Sequence, residues 1–291
     1  MRRICLILAS LVCLGSSYGF QNQIRVTPGW LGEHLQDSSL VVLHVASLRA
    51  DYTREHIPGA RFLWPGWMTE STPELSFEVR PVAELDTLLE GLGISNSSNI
   101  VICHVLGDAA AAARVYVTLD FLGLGDRAYI LDGGLEAWKA EGKPVIKEIT
   151  PRKSVKFTPM IRSGVFVGLE YVKAQSGKTG FRLVDCRSAQ GFNAGGVGMF
   201  RAGHIPGAVN LPFPAVLDST NKYLPMDSLK AKFESAGIKT GDEIITYCYS
   251  GRATCPVYVA AKMLGYNVHL YDGSFDEWSR HEDLPVEVTK K

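Results

Sequence analysis

Glu243-Ile244-Ile245-Thr246-Tyr247-Cys248-Tyr249-Ser250-Gly251-Arg252-Ala253-Thr254 is the stretch on which the reading of this chain turns. Its first five residues form a short apolar run, as a buried strand requires. Val257, Ala260, Ala261, Met263 and Leu264 follow at helical spacing. The segment is expected to be strand, loop, helix, with Cys248 at the carboxyl end of the strand. A thiol there faces the free N–H groups that open a helix, and those donors with the helix dipole favour an anion. A thiolate, and hence a nucleophile, is the expectation. Arg252 adds a positive charge in the same loop, and Gly251 permits the backbone angles that curl donors inward. None of Tyr249 to Thr254 is proline, so every loop N–H is counted as available, and Ser250 adds a hydroxyl. Many cysteines are only buried core residues, but a Gly and an Arg in such a loop have no packing role.

This unit belongs to a longer one that occurs twice. The first copy runs through Leu40-Val41-Val42-Leu43-His44-Val45, His56-Ile57-Pro58-Gly59-Ala60, Ile100-Val101-Ile102-Cys103-His104, and Leu131-Asp132-Gly133-Gly134 with Trp138. The second runs through Arg182-Leu183-Val184-Asp185-Cys186-Arg187, His204-Ile205-Pro206-Gly207-Ala208, Ile244 to Cys248, and Tyr271-Asp272-Gly273-Ser274 with Trp278. Two domains of one kind are implied, 24–145 and 165–289, joined by a linker over 146–164 that carries Pro151, Pro159 and several basic residues. Within each copy, β-branched runs alternate with helical patterns. Val82, Leu85, Leu88, Leu89 and Leu92 are one such pattern, and Thr27-Pro28 before Trp30 and Leu31 reads as a cap and first turn. The alternation predicts an α/β fold in which each copy is a mainly parallel sheet with helices on both faces. Sites in such sheets lie at the carboxyl ends of strands, where Cys248 falls.

Composition narrows the possibilities. The chain has 291 residues, 46% of them hydrophobic, and a formal net charge of zero. No basic run stands out, so nucleic-acid binding is not expected. Arg2 and Arg3, the apolar run Ile4 to Leu14, and Ser17-Tyr18-Gly19 resemble a secretory signal over residues 1–19. The apolar run is short for a membrane span, so an uncleaved anchor is the lesser reading and export to a periplasmic or extracellular space is expected. Cleavage would leave Cys103, Cys186, Cys248 and Cys255. No CxxC pair is present, and neither a metal site nor a disulfide framework is expected. Cys186 and Cys255 are each placed close enough for a regulatory disulfide with Cys248 to be conceivable, although small core residues are the plainer reading of both.

A protein tyrosine phosphatase loop offers a rival reading, but it requires Arg after Cys and five residues. That position here is Thr254, and Arg252 comes two residues early. The chain instead resembles the rhodanese family, specifically its tandem sulfurtransferases acting on thiosulfate or 3-mercaptopyruvate. The resemblance covers nearly the whole chain after residue 19. It rests on His-Ile-Pro-Gly-Ala in both copies, Asp-Gly-Gly/Ser with a following Trp in both, and Cys248 at the position of the family's active cysteine.

The resemblance implies a ping-pong reaction. Cys248 would take the outer sulfur of a donor as a persulfide and pass it to cyanide or a thiol, with no metal or organic cofactor. It implies an inactive first domain, in which His104 stands for Cys248 and Asp108 for Arg252, and a catalytic second domain. Tyr249, Ser250, Gly251, Arg252, Ala253 and Thr254 would form the anion-binding loop. Asp185 and Arg187 match the family's Asp-x-Arg, whose Arg helps bind donor anions. Tyr249-Ser250-Gly251 is nearer the mercaptopyruvate pattern, whereas Arg252 departs from it and suits thiosulfate as well, so the donor stays open. Asp185 is expected either to hold the loop or to pair with Arg187. His56, His204, Asp132 and Asp272 are read as turn or cap residues. Two alternatives remain beside the enzyme: a persulfide carrier serving an acceptor protein, and a non-catalytic module that binds anions or partners.

Overall fold

The computed structural model describes residues 23–193 and 201–289. The expected signal segment lies outside the described residues. The first half opens with β1 (Arg25–Val26), β2 (Leu40–Val45) and β3 (Arg61–Leu63). A short antiparallel pair follows, β4 (Thr69–Glu70) and β5 (Glu78–Val79), and then β6 (Asn99–His104) and β7 (Ala128–Leu131). β1, β2, β3, β6 and β7 form a parallel sheet in the order β1-β7-β6-β2-β3. The second half repeats this with β8 (Phe166–Val167), β9 (Phe181–Asp185), β10 (Val209–Asn210), β11 (Glu243–Tyr247) and β12 (Val268–Tyr271). Its order, β8-β12-β11-β9-β10, is the first order restated strand for strand.

The helices of the first half are α1 (Pro28–His34), α2 (Arg49–Arg54), α3 (Val82–Gly91), α4 (Ala109–Phe121) and α5 (Gly134–Ala140). Those of the second are α6 (Leu169–Gln175), α7 (Ala189–Asn193), α8 (Met226–Ser235), α9 (Cys255–Met263) and α10 (Ser274–Arg280). Thr27 caps α1 by accepting the Trp30 N–H at 3.1 Å, with Pro28 in the first turn. Strand side chains alternate between the two helical layers, as the pleat dictates. Val41, Leu43 and Val45 join Leu85 and Leu89 of α3 and Val115 and Leu119 of α4. Val42 points the other way, onto Leu31 of α1 and Leu135 and Trp138 of α5. Val184 and Ile244 face α8 and α9 in the second half, whereas Ile245 and Tyr247 face Phe275 and Trp278 of α10.

α4 and α9 pack against each other, so the inner layers of both halves merge into one apolar cluster. The linker is fastened to the first half. Phe157 is buried, Val155 N–H donates to Glu90 O (3.2 Å), Met160 N–H to Leu122 O (3.0 Å), and Arg162 bridges Asp120 (2.7 Å) and Asp126.

The repeated motifs hold the fold in matching ways. His56 and His204 form backbone bridges to Ile146 and Glu287. Trp138 and Trp278 donate their indole N–H to Pro144 O (2.8 Å) and Pro285 O (2.9 Å). Of the two readings of Asp132 and Asp272, the turn holds and the cap does not: each lies in the turn or bend between a strand and a helix, and neither caps the helix that follows it. Each crosses to the other half and accepts a backbone N–H there, Asp132 from Tyr223 (3.1 Å) and Asp272 from Val79 (2.7 Å). Backbone donors at an internal interface must find acceptors, and these two carboxylates supply them.

Candidate functional site

β11 ends at Tyr247, and Cys248 sits immediately beyond it at the carboxyl edge of the sheet. Cys248 is 1% exposed, on the floor of a cavity of about 760 Å³ between the halves. Cys186, Arg187, Phe213, Tyr249 and Arg252 line it from the second half, and Phe77 and Asp108 from the first.

The loop turns inward as its composition suggested. The N–H groups of Ser250, Ala253 and Thr254 hydrogen-bond to the Cys248 sulfur. Gly251 has a φ of 74°, and a β-carbon there would lie 2.8 Å from Asp272 Oδ1, so glycine is required both for the angle and for the space. One expectation fails in part: the Gly251 N–H is already taken by Ser274 Oγ (3.0 Å) and does not face the sulfur.

The sulfur's acidity is also corrected. Burial raises the Cys248 thiol pKa above its ordinary value, three backbone donors pull it down, and the Asp185 charge pushes it up again, with a net upward shift. The lowered value expected from the helix overlooked burial, because α9 begins only at Cys255. The donors are still in place for a charge that develops on or beyond this sulfur, and a preorganised site acts in this way.

Arg252 does not stand free at the mouth. Its guanidinium pairs with Asp108 of the first half at 2.5 Å, and Asp108 also caps α4 through the Ala111 N–H (3.1 Å). The alternatives for Asp185 are resolved, because it takes Arg187 Nε at 3.0 Å on both oxygens and Nη2 at 2.6 Å. Arg187 Nη2 also reaches Gly203 O (2.8 Å), and its guanidinium lies over the rings of Phe275 (4.0 Å) and Tyr249 (4.9 Å). Its remaining nitrogen, Nη1, is buried without a hydrogen-bond partner among the described residues, in a residue that lines the cavity. Such a group calls for a ligand.

Three residues have roles at the site that the sequence did not suggest, Asp272 among them, which reads there only as a turn or cap residue. Ser274 has a φ of 53°, a region that non-glycine residues occupy at a cost. Its hydroxyl accepts the N–H groups of Cys248 (3.2 Å) and Gly251 and donates to Tyr271 O (2.8 Å). The signal was present in the repeat, where Asp-Gly-Ser replaces Asp-Gly-Gly. Arg114 of α4 and Asp272 are the other two. Buried in the first half, Arg114 gives Nη1 to Asp272 (2.6 Å) and to Gly251 O (3.2 Å), and Nη2 to Phe77 O (2.9 Å). An arginine amid the apolar run of α4 was its signal.

Cys186 and Cys255 are free thiols, as are Cys103 and Cys248, so no disulfide joins Cys248 among the described residues. In the first half, Ile102 pairs with Ile130 as Thr246 pairs with Leu270, which places His104 at the counterpart of Cys248. His104 is buried, and Gly134 occupies the place of Ser274 with no hydroxyl to offer. Among the described residues no group of three His, Cys, Asp or Glu side chains converges on a metal position, and no helix is long and apolar enough to cross a membrane.

The family model for the rhodanese-like domain matches residues 27–141 and 169–281. A thiosulfate sulfurtransferase of Azotobacter vinelandii is 30% identical over 264 residues, covering 90% of this chain and 96% of that protein. The sulfur carrier protein TtuD of Thermus thermophilus is 29% identical over 281 residues, covering 91% and 96%. The crystal structure of SseA from Escherichia coli, a 3-mercaptopyruvate sulfotransferase of rhodanese fold, matches with a TM-score of 0.79 at 26% identity, over 87% of this chain and 98% of that one.

Proposed function

The chain belongs to the rhodanese-like family as a tandem of two such domains, and from this we propose that it is a sulfurtransferase moving sulfane sulfur from thiosulfate or 3-mercaptopyruvate to a thiophilic acceptor through a persulfide on Cys248. The observation that carries this reading is the Cys248 sulfur itself, which meets three backbone N–H groups on the floor of a cavity. The sulfur attacks the donor's outer sulfur. With thiosulfate the donor's S–S bond breaks and sulfite leaves with the electron pair. The terminal sulfur of a persulfide carries its negative charge, and Ser250, Ala253 and Thr254 supply donors for that anion. An acceptor then attacks the terminal sulfur and frees Cys248.

Arg187 is assigned to the donor's anionic group, because Nη1 is the one arm that Asp185 and Gly203 leave unengaged. Arg252 is assigned to the rim, its charge balanced by Asp108. Ser274 and Gly251 are positioning residues for the loop.

A partner-dependent sulfur carrier is the second reading, favoured by the likeness to TtuD. Sulfur transfer to cyanide, compared between thiosulfate and 3-mercaptopyruvate, tests the first. Turnover that vanishes in Cys248→Ser supports the enzyme and ranks the donors. No turnover with either donor, but delivery to a protein acceptor, supports the carrier. Export is proposed from Arg2, Arg3 and the apolar run after them. Protein recovered from its cells beginning at Phe20 supports it, and protein beginning at Met1 opposes it.

A further inference from the structure

Cys186 takes no part in the transfer just described, yet the sheet makes it a neighbour of Cys248. The register of β9 and β11 pairs Val184 with Thr246 and Asp185 with Tyr247. The Cys186 N–H donates to Tyr247 O at 2.8 Å and extends the parallel ladder by one step. The next residues in register are Cys186 and Cys248. Backbones of neighbouring strands run about 4.8 Å apart, within the Cα separation of about 4.4–6.8 Å that a disulfide spans.

One residue touches both sulfurs. Thr254 gives its N–H to Cys248 and its hydroxyl to Cys186 (3.2 Å). Both cysteines line the same cavity. Cys255 is placed otherwise: its thiol donates to Gly251 O (3.2 Å) and it does not line the cavity.

We propose that Cys186 is an internal acceptor for the Cys248 persulfide, closing a Cys186–Cys248 disulfide and expelling hydrosulfide. This rests on the persulfide reading above. Cys186 Sγ attacks the inner sulfur of the persulfide, and an Sγ–Sγ bond forms as the inner-to-outer S–S bond breaks. The electron pair leaves with the outer sulfur, which carries the former Cys186 proton away as HS⁻. The persulfide is the oxidant, so none is added, and an external dithiol restores the two thiols by ordinary exchange. A sulfur that no acceptor collects is thus released as sulfide, and the site stays closed until it is reduced.

The test loads the chain with thiosulfate or 3-mercaptopyruvate, removes the donor, excludes oxygen and adds no acceptor. Intact mass and released sulfide are followed with time. The wild-type chain is expected to gain one sulfur, lose it with release of one sulfide, and end two hydrogens lighter than the dithiol form. A non-reduced peptide map should then join Cys186 to Cys248. Cys186→Ser and Cys186→Ala, shown to be folded by their own uptake of sulfur, should hold it, with sulfide release lost. Equal release from these variants, a cross-link to Cys255, or a wild-type persulfide that persists overturns the proposal. A wild-type chain that takes no sulfur from either donor fails one step earlier and removes the persulfide reading together with this one.

Discussion

Ser274 shows how much of the site rests on a single hydroxyl. It holds two N–H groups, those of Cys248 and Gly251, in a conformation that glycine would adopt more cheaply. Ser274→Ala should lower stability by about 1–3 kcal/mol, the cost of leaving buried donors unmet, as read by urea denaturation. Ser274→Gly relieves the backbone, so it should cost less stability than Ser274→Ala while losing as much sulfur transfer. Equal turnover in Ser274→Gly and wild type would contradict the positioning role. The Cys248 thiol makes a second prediction at this scale. Because burial raises its pKa, alkylation of the resting enzyme should rise with pH to a midpoint above the free-cysteine value of about 8.5. Cys248 itself was legible from the strand, Gly and Arg around it. Its acidity was not, because burial, which raises the thiol pKa, depends on how the chain packs in three dimensions.

At the scale of elements, α4 carries the argument. It contributes no reacting group, yet its Arg114 supports the Cys248 loop from beneath through Asp272 and Gly251 O. Arg114→Met leaves Asp272 buried without its partner and should cost about 3–5 kcal/mol, with loss of transfer beyond what the remaining folded fraction explains. β5 adds a pH effect. Burial, together with the charges of Asp272 and Glu277, pushes the Glu78 carboxyl up to about 8. The unfolded carboxyl titrates near 4.3, at about the ordinary glutamate value. Between these values the folded chain holds a proton that the unfolded chain has lost. Stability from Glu78 is therefore complete below the lower value and is lost as pH rises through the upper one. Glu78→Gln should flatten that decline, and melting temperatures of both proteins across the window check it. The longer strands β2, β6, β9 and β11 and the helices α3 and α9 were readable from their apolar runs and helical spacing. The β4–β5 pair was not, because its two-residue strands are too short for a pattern and the acceptor of its Val79 N–H, Asp272, lies in the second half.

For the whole molecule, duplication was the decisive signal, and the two matching strand orders agree with it. Sequence could not show that Asp132 and Asp272 cross the interface in reciprocal fashion, since contacts between halves leave no local pattern. It also gave no sign that the linker is pinned at Phe157 and Arg162. Because Phe77, Asp108 and Arg114 all come from the first half, residues 165–289 expressed alone should show only background sulfur transfer. Undiminished transfer by that fragment would reduce the first half to a passive neighbour. The most direct measurement is peptide mass mapping of the chain, quenched during loading with thiosulfate or 3-mercaptopyruvate and without an acceptor, before Cys186 can displace the added sulfur. One added sulfur on the Cys248 peptide, removed by cyanide, is the predicted result. Sulfur on another cysteine, or on none, would contradict the account.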